Sequence, residues 1–556
     1  MDEIVRFSGL PAKTSREVWP FNGPAWQSGE IAPFASPPAL RQTSHGAAEW
    51  MEAPLAKELG LYDGLGVLFA RGKLGVMRYG LGRHSMVIAP SRSGKTVSVV
   101  APNLLAWPGS IFTIDPKGEL AHLTADFRQR MGQNVYVLDP CRVSGRPRSR
   151  YNPLQWLERS HNFDTDLKSI VQALTPDRGG VASFWNEAPR ALLFGIVCYL
   201  IATKGERKTL GRVFELLNSS EEEWEDLLDR MRCCDGGSME LNRHARQKAR
   251  WFLSLHEEHQ KYHRGTLQYH LDWLTVKEAR EMVEASDFDI REIKEGKATV
   301  YVCIPPVDNE TYEGFTRLLS TLAIRAMYLW QVVPGSGELP TLLLLDEFAT
   351  TVGRMGIFEE SYTNIAGYGG HYVTILQTID QLQTLYPSGK GKQSWRTFYD
   401  NAGMRLFFNA EGNTADFVSE RLHSKTEFVS SPIGASNEHA RPLLFPPEVQ
   451  FPRNNQGNHV PDTVFALVHG FPPIRARKLA YYRDSEFAGT FNPVPVPPQY
   501  VPSGPTWWHE AERGSHAGVG ESSSSPLERK RKERKTEPPR VSTEDIAKYA
   551  ELEGWA

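Results

Sequence analysis

The sequence predicts an α/β domain with a mainly parallel sheet, interrupted by an all-helical domain. Three observations predict it. Short apolar runs recur along the chain, with helical patterns between many of them. Most of these runs are continuous rather than alternating, as in strands buried on both faces. One long stretch, residues 158–288, is charged and helically periodic and holds no convincing strand.

The runs, in order, are MVIA (86–89), SIFTI (110–114), VYVL (135–138), TVYVCI (299–304), TLLLL (341–345), YVTIL (372–376), MRLFF (404–408) and TVFALV (463–468). The helical stretch lies between the third and the fourth. Residues 1–44 are rich in Pro and Ser and read as an extended lead-in. The tail opens PVPVPPQYVPSGP, which favours polyproline II and forbids a packed sheet. It runs through GSHAGVGESSSSP into ERKRKERK, a linker followed by a basic arm. The last stretch, STEDIAKYAELEGWA, suits a short helix capped by Ser542 or Thr543. The expected organisation is a lead-in (1–44), a nucleotide-binding domain in two parts (45–157 and 289–492), a helical domain (158–288) and a tail (493–556).

Composition narrows the class. A chain of 556 residues exceeds a single core. An apolar fraction of 40 % and a charged fraction of 23 % are those of a soluble globular protein. The net charge of −3 gives no global positive field, although a motor with a narrow basic channel can carry the same total. Cys141, Cys198, Cys233, Cys234 and Cys303 lack C-x-x-C spacing and read as reduced thiols, with no zinc site. No secretory signal is visible. The longest apolar run, ALLFGIVCYLIAT (191–203), ends at Arg190 and Lys204. It falls short of the roughly 20 residues that span a bilayer and suits a buried helix.

The chemistry begins at VIAPSRSGKTVSVV (87–100). This is the phosphate-loop pattern G-x-x-x-x-G-K-[ST] with Ala89 in the place of the first glycine. An apolar strand precedes it and a plausible helix follows, the order the chemistry requires. The candidate nucleotide-binding residues are Ala89, Pro90, Ser91, Arg92, Ser93, Gly94, Lys95 and Thr96. Loop N–H groups and the helix N-terminus face the phosphates of ATP. Lys95 takes the β- and γ-phosphates, and Thr96 ligates Mg²⁺. The second half of such a site is an apolar strand ending in carboxylates, and PTLLLLDEFAT supplies it. Asp346 holds the Mg²⁺, and Glu347 is placed to act as general base on the attacking water. Gln377, closing YVTIL, is the candidate that senses the γ-phosphate or orients the water.

Three further features favour plainer readings. His256, His259 and His263 follow H-x-x-H rather than H-E-x-x-H order, so a solvated helix face is expected. GYGG (367–370) follows a helix and precedes a strand, as a tight turn does. ERKRKERK serves either as a solubilising tail or as an electrostatic contact for nucleic acid or acidic partners.

Across residues 45–490 the chain resembles the type IV coupling proteins of bacterial conjugation and secretion, the TraG/TraD class. The resemblance is carried by HGAAEW, the phosphate-loop segment, FTIDPKGEL, YNPL and FWNEAPRALLFGIVCYL. It continues in LLLLDEFATTVGRMGIFEESYTNIAGYGGHYVTILQTIDQL, DNAGMRLFFNAEGNTADFVSERL, RPLLFPPEV and GFPPIRARKLAYYRD. It implies a RecA-like ATPase assembled as a homo-hexamer at the cytoplasmic face of the inner membrane. It also implies that single-stranded DNA with its relaxase, or effector protein cargo, is delivered to type IV secretion channel components. Lys95, Thr96, Asp346, Glu347 and Gln377 match the family's ATPase positions, and Asp115, Lys117 and Glu119 match its second-strand motif. The chain departs from the family in showing no membrane helices before HGAAEW, so a cytoplasmic protein, peripheral at the membrane, is expected. Two other readings stay open: a nucleotide-binding docking receptor with little turnover, and a double-stranded DNA translocase. Arg354 and Arg405 are the candidates for an arginine that reaches a neighbour's γ-phosphate.

Overall fold

All eight apolar runs become strands of one sheet in the computed structural model. It describes residues 48–492 apart from 81, 177–186, 334–335, 352, 388–393, 431–435 and 455. In chain order the strands are β1 (Val67–Gly72), β2 (Gly75–Tyr79), β3 (His84–Ile88), β4 (Ile111–Ile114), β5 (Asn134–Leu138), β6 (Ala298–Val302), β7 (Thr341–Leu345), β8 (Gly370–Leu376) and β9 (Ala402–Phe408). A separate antiparallel pair, β10 (Ser424–Ser430) and β11 (Ser436–Pro442), follows. Then come β12 (Thr463–Val468) and β13 (Ile474–Arg477). The main sheet has the order β2-β1-β13-β12-β9-β3-β8-β7-β4-β6-β5. From β9 to β5 every pairing is parallel, and from β9 to β2 every pairing is antiparallel.

The five strands without prior expectation have weak sequence signals. β1 carries a register shift between Leu68 and Ala70, which breaks its alternation. β13 is four residues long and half arginine. The expected continuous strands are continuous for the stated reason: β3, β4, β6, β7 and β8 are buried at every position. Their side chains alternate between two cores with period two. Leu342 and Leu344 pack with Val99, Leu104 and Leu120 on one face. Leu343 and Leu345 face the other core, with Phe112 and Ile88.

That second core runs on into the segment between β5 and β6. There the described residues form only helices, among them Phe163–Leu174, Glu187–Ala202, Glu221–Arg232, Met239–Leu253 and Glu257–His270. The apolar run 191–203 forms most of Glu187–Ala202, buried without a break from Leu192 to Leu200. It is therefore a core helix. Among the described residues no helix is long and apolar enough to cross a membrane. Gly195 lets Met239–Leu253 approach closely, since a Cβ there would lie 2.6 Å from the Lys248 Cβ. The helical segment is joined to the helix Asn309–Met327 by Arg325, which pairs with Asp166 and donates to the Ser169 hydroxyl at 2.8 Å. The lead-in, the tail and the Ser542/Thr543 helix lie outside the described residues.

β4 ends in a turn that only glycine suits. Gly118 has φ +68°, and a Cβ there would lie 2.5 Å from the Ser144 backbone. Gly118→Ala is therefore expected to cost about 2 kcal/mol or more. The check is the urea unfolding midpoint, which an adaptable turn would leave unchanged.

Candidate functional site

The loop after β3 accommodates Ala89 in the place of the pattern's first glycine because its left-handed positions lie further on. Ala89 does not take a positive φ; Arg92 (φ 61°) and Gly94 (φ 91°) do. Ala89 is buried, and its N–H donates to the Leu376 carbonyl at 2.8 Å. A methyl group there meets no conformational penalty. At Gly94 the nearest atom to an added Cβ would be Ser98 Oγ at 3.8 Å, so backbone conformation, not space, demands glycine. Ser91 and Arg92 are exposed, Pro90 is half-buried, and Ser93 N–H donates to the Pro90 carbonyl. The Ser93 hydroxyl is buried with no hydrogen-bond partner. The Gly94 N–H meets no acceptor among the described residues. Unused donors in a loop at the start of a helix suit a phosphate group.

Three neighbouring strand ends converge there. β8 lies between β3 and β7, with Ile88 opposite Leu376 and Leu345 opposite Thr374. Lys95 follows β3, Asp346 and Glu347 follow β7, and Gln377 follows β8. Lys95 Nζ lies 2.9 Å from Asp346 Oδ1 and 3.2 Å from Glu347 Oε1. Lys95 and Asp346 are buried, while Glu347 is half-buried. Burial pushes the Asp346 carboxyl above its ordinary range, and Lys95 opposes the shift without cancelling it. Glu347 takes a left-handed φ of 51°, and its N–H donates to Asp346 Oδ1 at 2.9 Å. Such a conformation costs a non-glycine residue on the order of 1 kcal/mol and is held by its surroundings. Thr96 opens the wide helical turn Thr96–Val100 and is half-buried. Gln377 is half-buried, with its N–H on Gln381 Oε1 at 2.8 Å.

The second-strand motif divides its work. Asp115 follows β4, beside β7, and its Oδ2 accepts the Ala121 N–H at 2.9 Å, capping the helix Glu119–Arg130. Lys117 and Glu119 are exposed. Burial raises the Asp115 carboxyl to about 7, with a further push from Asp346.

One further expectation, a shared solvated face for three histidines, is revised. His256 and His259 are exposed, but His263 is buried, so the three do not share a solvated face. The helix turns His263 toward the core beside Arg264. Among the described residues no metal-holding cluster forms. GYGG is a turn: Gly369 (φ 76°) leads into β8 at the end opposite Gln377. Arg354 pairs with Glu359 at 2.8 Å, and Arg405 donates to the Tyr399 carbonyl at 2.8 Å. Both guanidinium groups are thus engaged within their own chain. All five cysteines are free thiols. ERKRKERK lies outside the described residues. One residue at the loop has no sequence signal of its own. Lys478, just after β13, donates to the Ser93 carbonyl at 3.0 Å.

The raised Asp115 value sets a pH dependence. Its folded state binds the proton more tightly than the unfolded chain, whose ordinary value is 3.8. Asp115 therefore favours folding most at low pH and loses that contribution as pH rises from about 4 to about 7. Asp115→Asn keeps an acceptor for Ala121 and removes the titration. The stability of the variant relative to the parent should rise across that window, as read from urea unfolding at stepped pH. A constant difference would refute the assignment.

With this geometry in view, comparison with known proteins is specific. The family model for type IV secretory system conjugative DNA transfer matches residues 55–502. Protein VirD4 of Agrobacterium fabrum (strain C58) is 29 % identical over 420 residues, covering 72 % of this chain. The chain spans only 59 % of the length of that relative. The conjugal transfer protein TraG of Escherichia coli is 27 % identical over 455 residues, covering 75 % of this chain and 70 % of TraG. Among solved structures, the bacterial conjugative coupling protein TrwBdeltaN70 superposes with a TM-score of 0.59 at 15 % identity, covering 83 % of this chain and 98 % of its own. TrwB in complex with ADP and Mg²⁺ gives 0.57 at 14 %, covering 82 % and 99 %. At such identity the likeness establishes the fold: a RecA-like P-loop core with a mainly parallel sheet and a helical insertion. Matched over most of its length by the family model, this chain belongs to the type IV secretory system conjugative DNA transfer family.

Proposed function

We propose that this chain is an ATP-hydrolysing coupling protein that drives single-stranded DNA with attached relaxase, or effector protein, into a type IV secretion channel at the cytoplasmic face of the inner membrane. The observation that carries the reading is the Lys95 ammonium held by Asp346 and Glu347 beside a loop whose Gly94 N–H and Ser93 hydroxyl meet no acceptor among the described residues. The conjugative DNA transfer family supports the cargo class. The TrwB complexes with ADP and Mg²⁺ and with a non-hydrolysable ATP analogue support the nucleotide.

Each residue then has a task. The loop N–H groups bind phosphate oxygens. Lys95 exchanges its two carboxylates for the β- and γ-phosphates, which frees Asp346 and Glu347. Thr96 and Asp346 hold Mg²⁺, which supplies positive charge to the phosphate oxygens. Glu347 orients the attacking water and takes its proton. Gln377, between the two strand ends, keeps that water in line. The γ-phosphate side is completed by an arginine from the next subunit of a homo-hexameric ring.

Lys95→Ala should weaken ATP binding by at least about tenfold, since a direct phosphate charge is lost. Glu347→Gln should bind ATP normally and turn it over about 100-fold more slowly. Hydrolysis by Glu347→Gln at the parent rate would sink the base assignment. Activity per subunit should also rise with protein concentration or with added single-stranded DNA. Strict proportionality to enzyme, together with a monomeric mass in solution, would rule out the ring.

A further inference from the structure

Beyond the residues already given roles, we infer that Lys478 is a positioning residue for the phosphate loop, setting the orientation of the Ser93–Gly94 peptide. The inference rests on the nucleotide-binding reading above. β13 ends at Arg477, and the next residues cross the start of the helix that follows the loop. The Lys478 N–H donates to the Asp462 carbonyl at 2.7 Å, which fixes its backbone. The Leu479 carbonyl accepts the Ser98 hydroxyl at 2.7 Å. Leu479 and Tyr481 pack with Ala101 and Leu105 in one cluster, against Val97.

From this brace the Lys478 side chain reaches three segments. Its Nζ donates to the Ser93 carbonyl at 3.0 Å, to Asn409 Oδ1 at 2.8 Å and to the Pro461 carbonyl at 3.1 Å. An ammonium has three donors, and all three go to uncharged oxygens. The group is only 7 % exposed and lies 5.2 Å from the Phe408 ring centre. Asn409 meets it from a left-handed turn (φ 44°) directly after β9, the strand beside β3.

The consequence follows from peptide planarity. No peptide bond of the described chain is cis. In a trans peptide the carbonyl and the next N–H point in opposite directions. With the Ser93 carbonyl drawn to Lys478, the Gly94 N–H points away from Lys478, and it is this N–H that meets no acceptor among the described residues. Gly94, with φ 91°, would otherwise turn with little restraint. Lys478 thus acts through the loop backbone, presenting one phosphate donor without touching the phosphate itself.

Lys478→Met keeps the length of the side chain and removes its donors. It is expected to raise the KM for ATP and the Kd for ADP by about tenfold, with kcat changed by less than about threefold. Lys478→Arg should recover most of the loss, because it keeps donors and charge. A lysine serving stability alone would lower the thermal midpoint and leave KM in place. KM and ADP Kd within about twofold of the parent in folded Lys478→Met would overturn the inference. If that variant does not fold, Asn409→Ala removes one of the three acceptors and should raise KM by a smaller factor. An unchanged KM there overturns the inference equally. Lys95→Ala in the same titration separates the two readings. ADP binding that Lys95→Ala abolishes and Lys478→Met spares removes only the role of Lys478. A parent protein that binds no ADP removes the ATPase reading and this inference with it.

Discussion

The contact between Lys95 and the Asp346–Glu347 pair is the constraint on which the site depends. It joins two strands that are not neighbours, since β8 lies between β3 and β7. Lys95 and Asp346 are both buried, so each needs the other: a buried charge that loses its partner is strongly destabilising. The raised Asp346 carboxyl shows that desolvation still outweighs the attraction. On the proposed reading, a phosphate that takes Lys95 away would need a cation to replace it, and Asp346 is the carboxylate that would hold one. The pair ties the end of β7 to the loop that follows β3.

Keeping those strand ends in register requires a sheet buried on both faces. The leucines of β7 divide between two cores, and the core on one face continues into the helical segment. The segment's helix Phe163–Leu174 packs on the helix Asn309–Met327, so separating the two would expose buried residues such as Leu167 and Leu322. The helical segment thus shares one continuous core with the sheet. The antiparallel end, β12 to β2, has a different use. It brings the residues after β13 back to the loop that follows β3, where Lys478 and Leu479 meet Ser93 and Ser98.

Much of the fold was legible because buried strands leave continuous apolar runs, and all eight became strands, seven of them with a parallel neighbour and β12 antiparallel on both sides. The strands that were not legible, β1, β2, β10, β11 and β13, are antiparallel and are short, irregular or polar, so periodicity had little to act on. The helical stretch was legible from its period, and its run 191–203 proved to be a core helix of the expected kind. His263 was misjudged because spacing alone does not say which face of a helix meets the core.

The sequence by itself determined the local chemistry. It marked a loop with glycine at the strained position, a lysine after it, and two carboxylates at the end of an apolar strand, because each is written within a few consecutive residues. Only the tertiary structure decided how far apart these groups stand, that Ala89 takes no left-handed φ, that Asp115 is buried, and that Lys478 lies beside the loop. Those facts depend on strand order and on contacts between residues hundreds of positions apart in the chain. No local pattern records them, because hydrophobic burial and hydrogen bonding act on distance in space rather than distance along the chain.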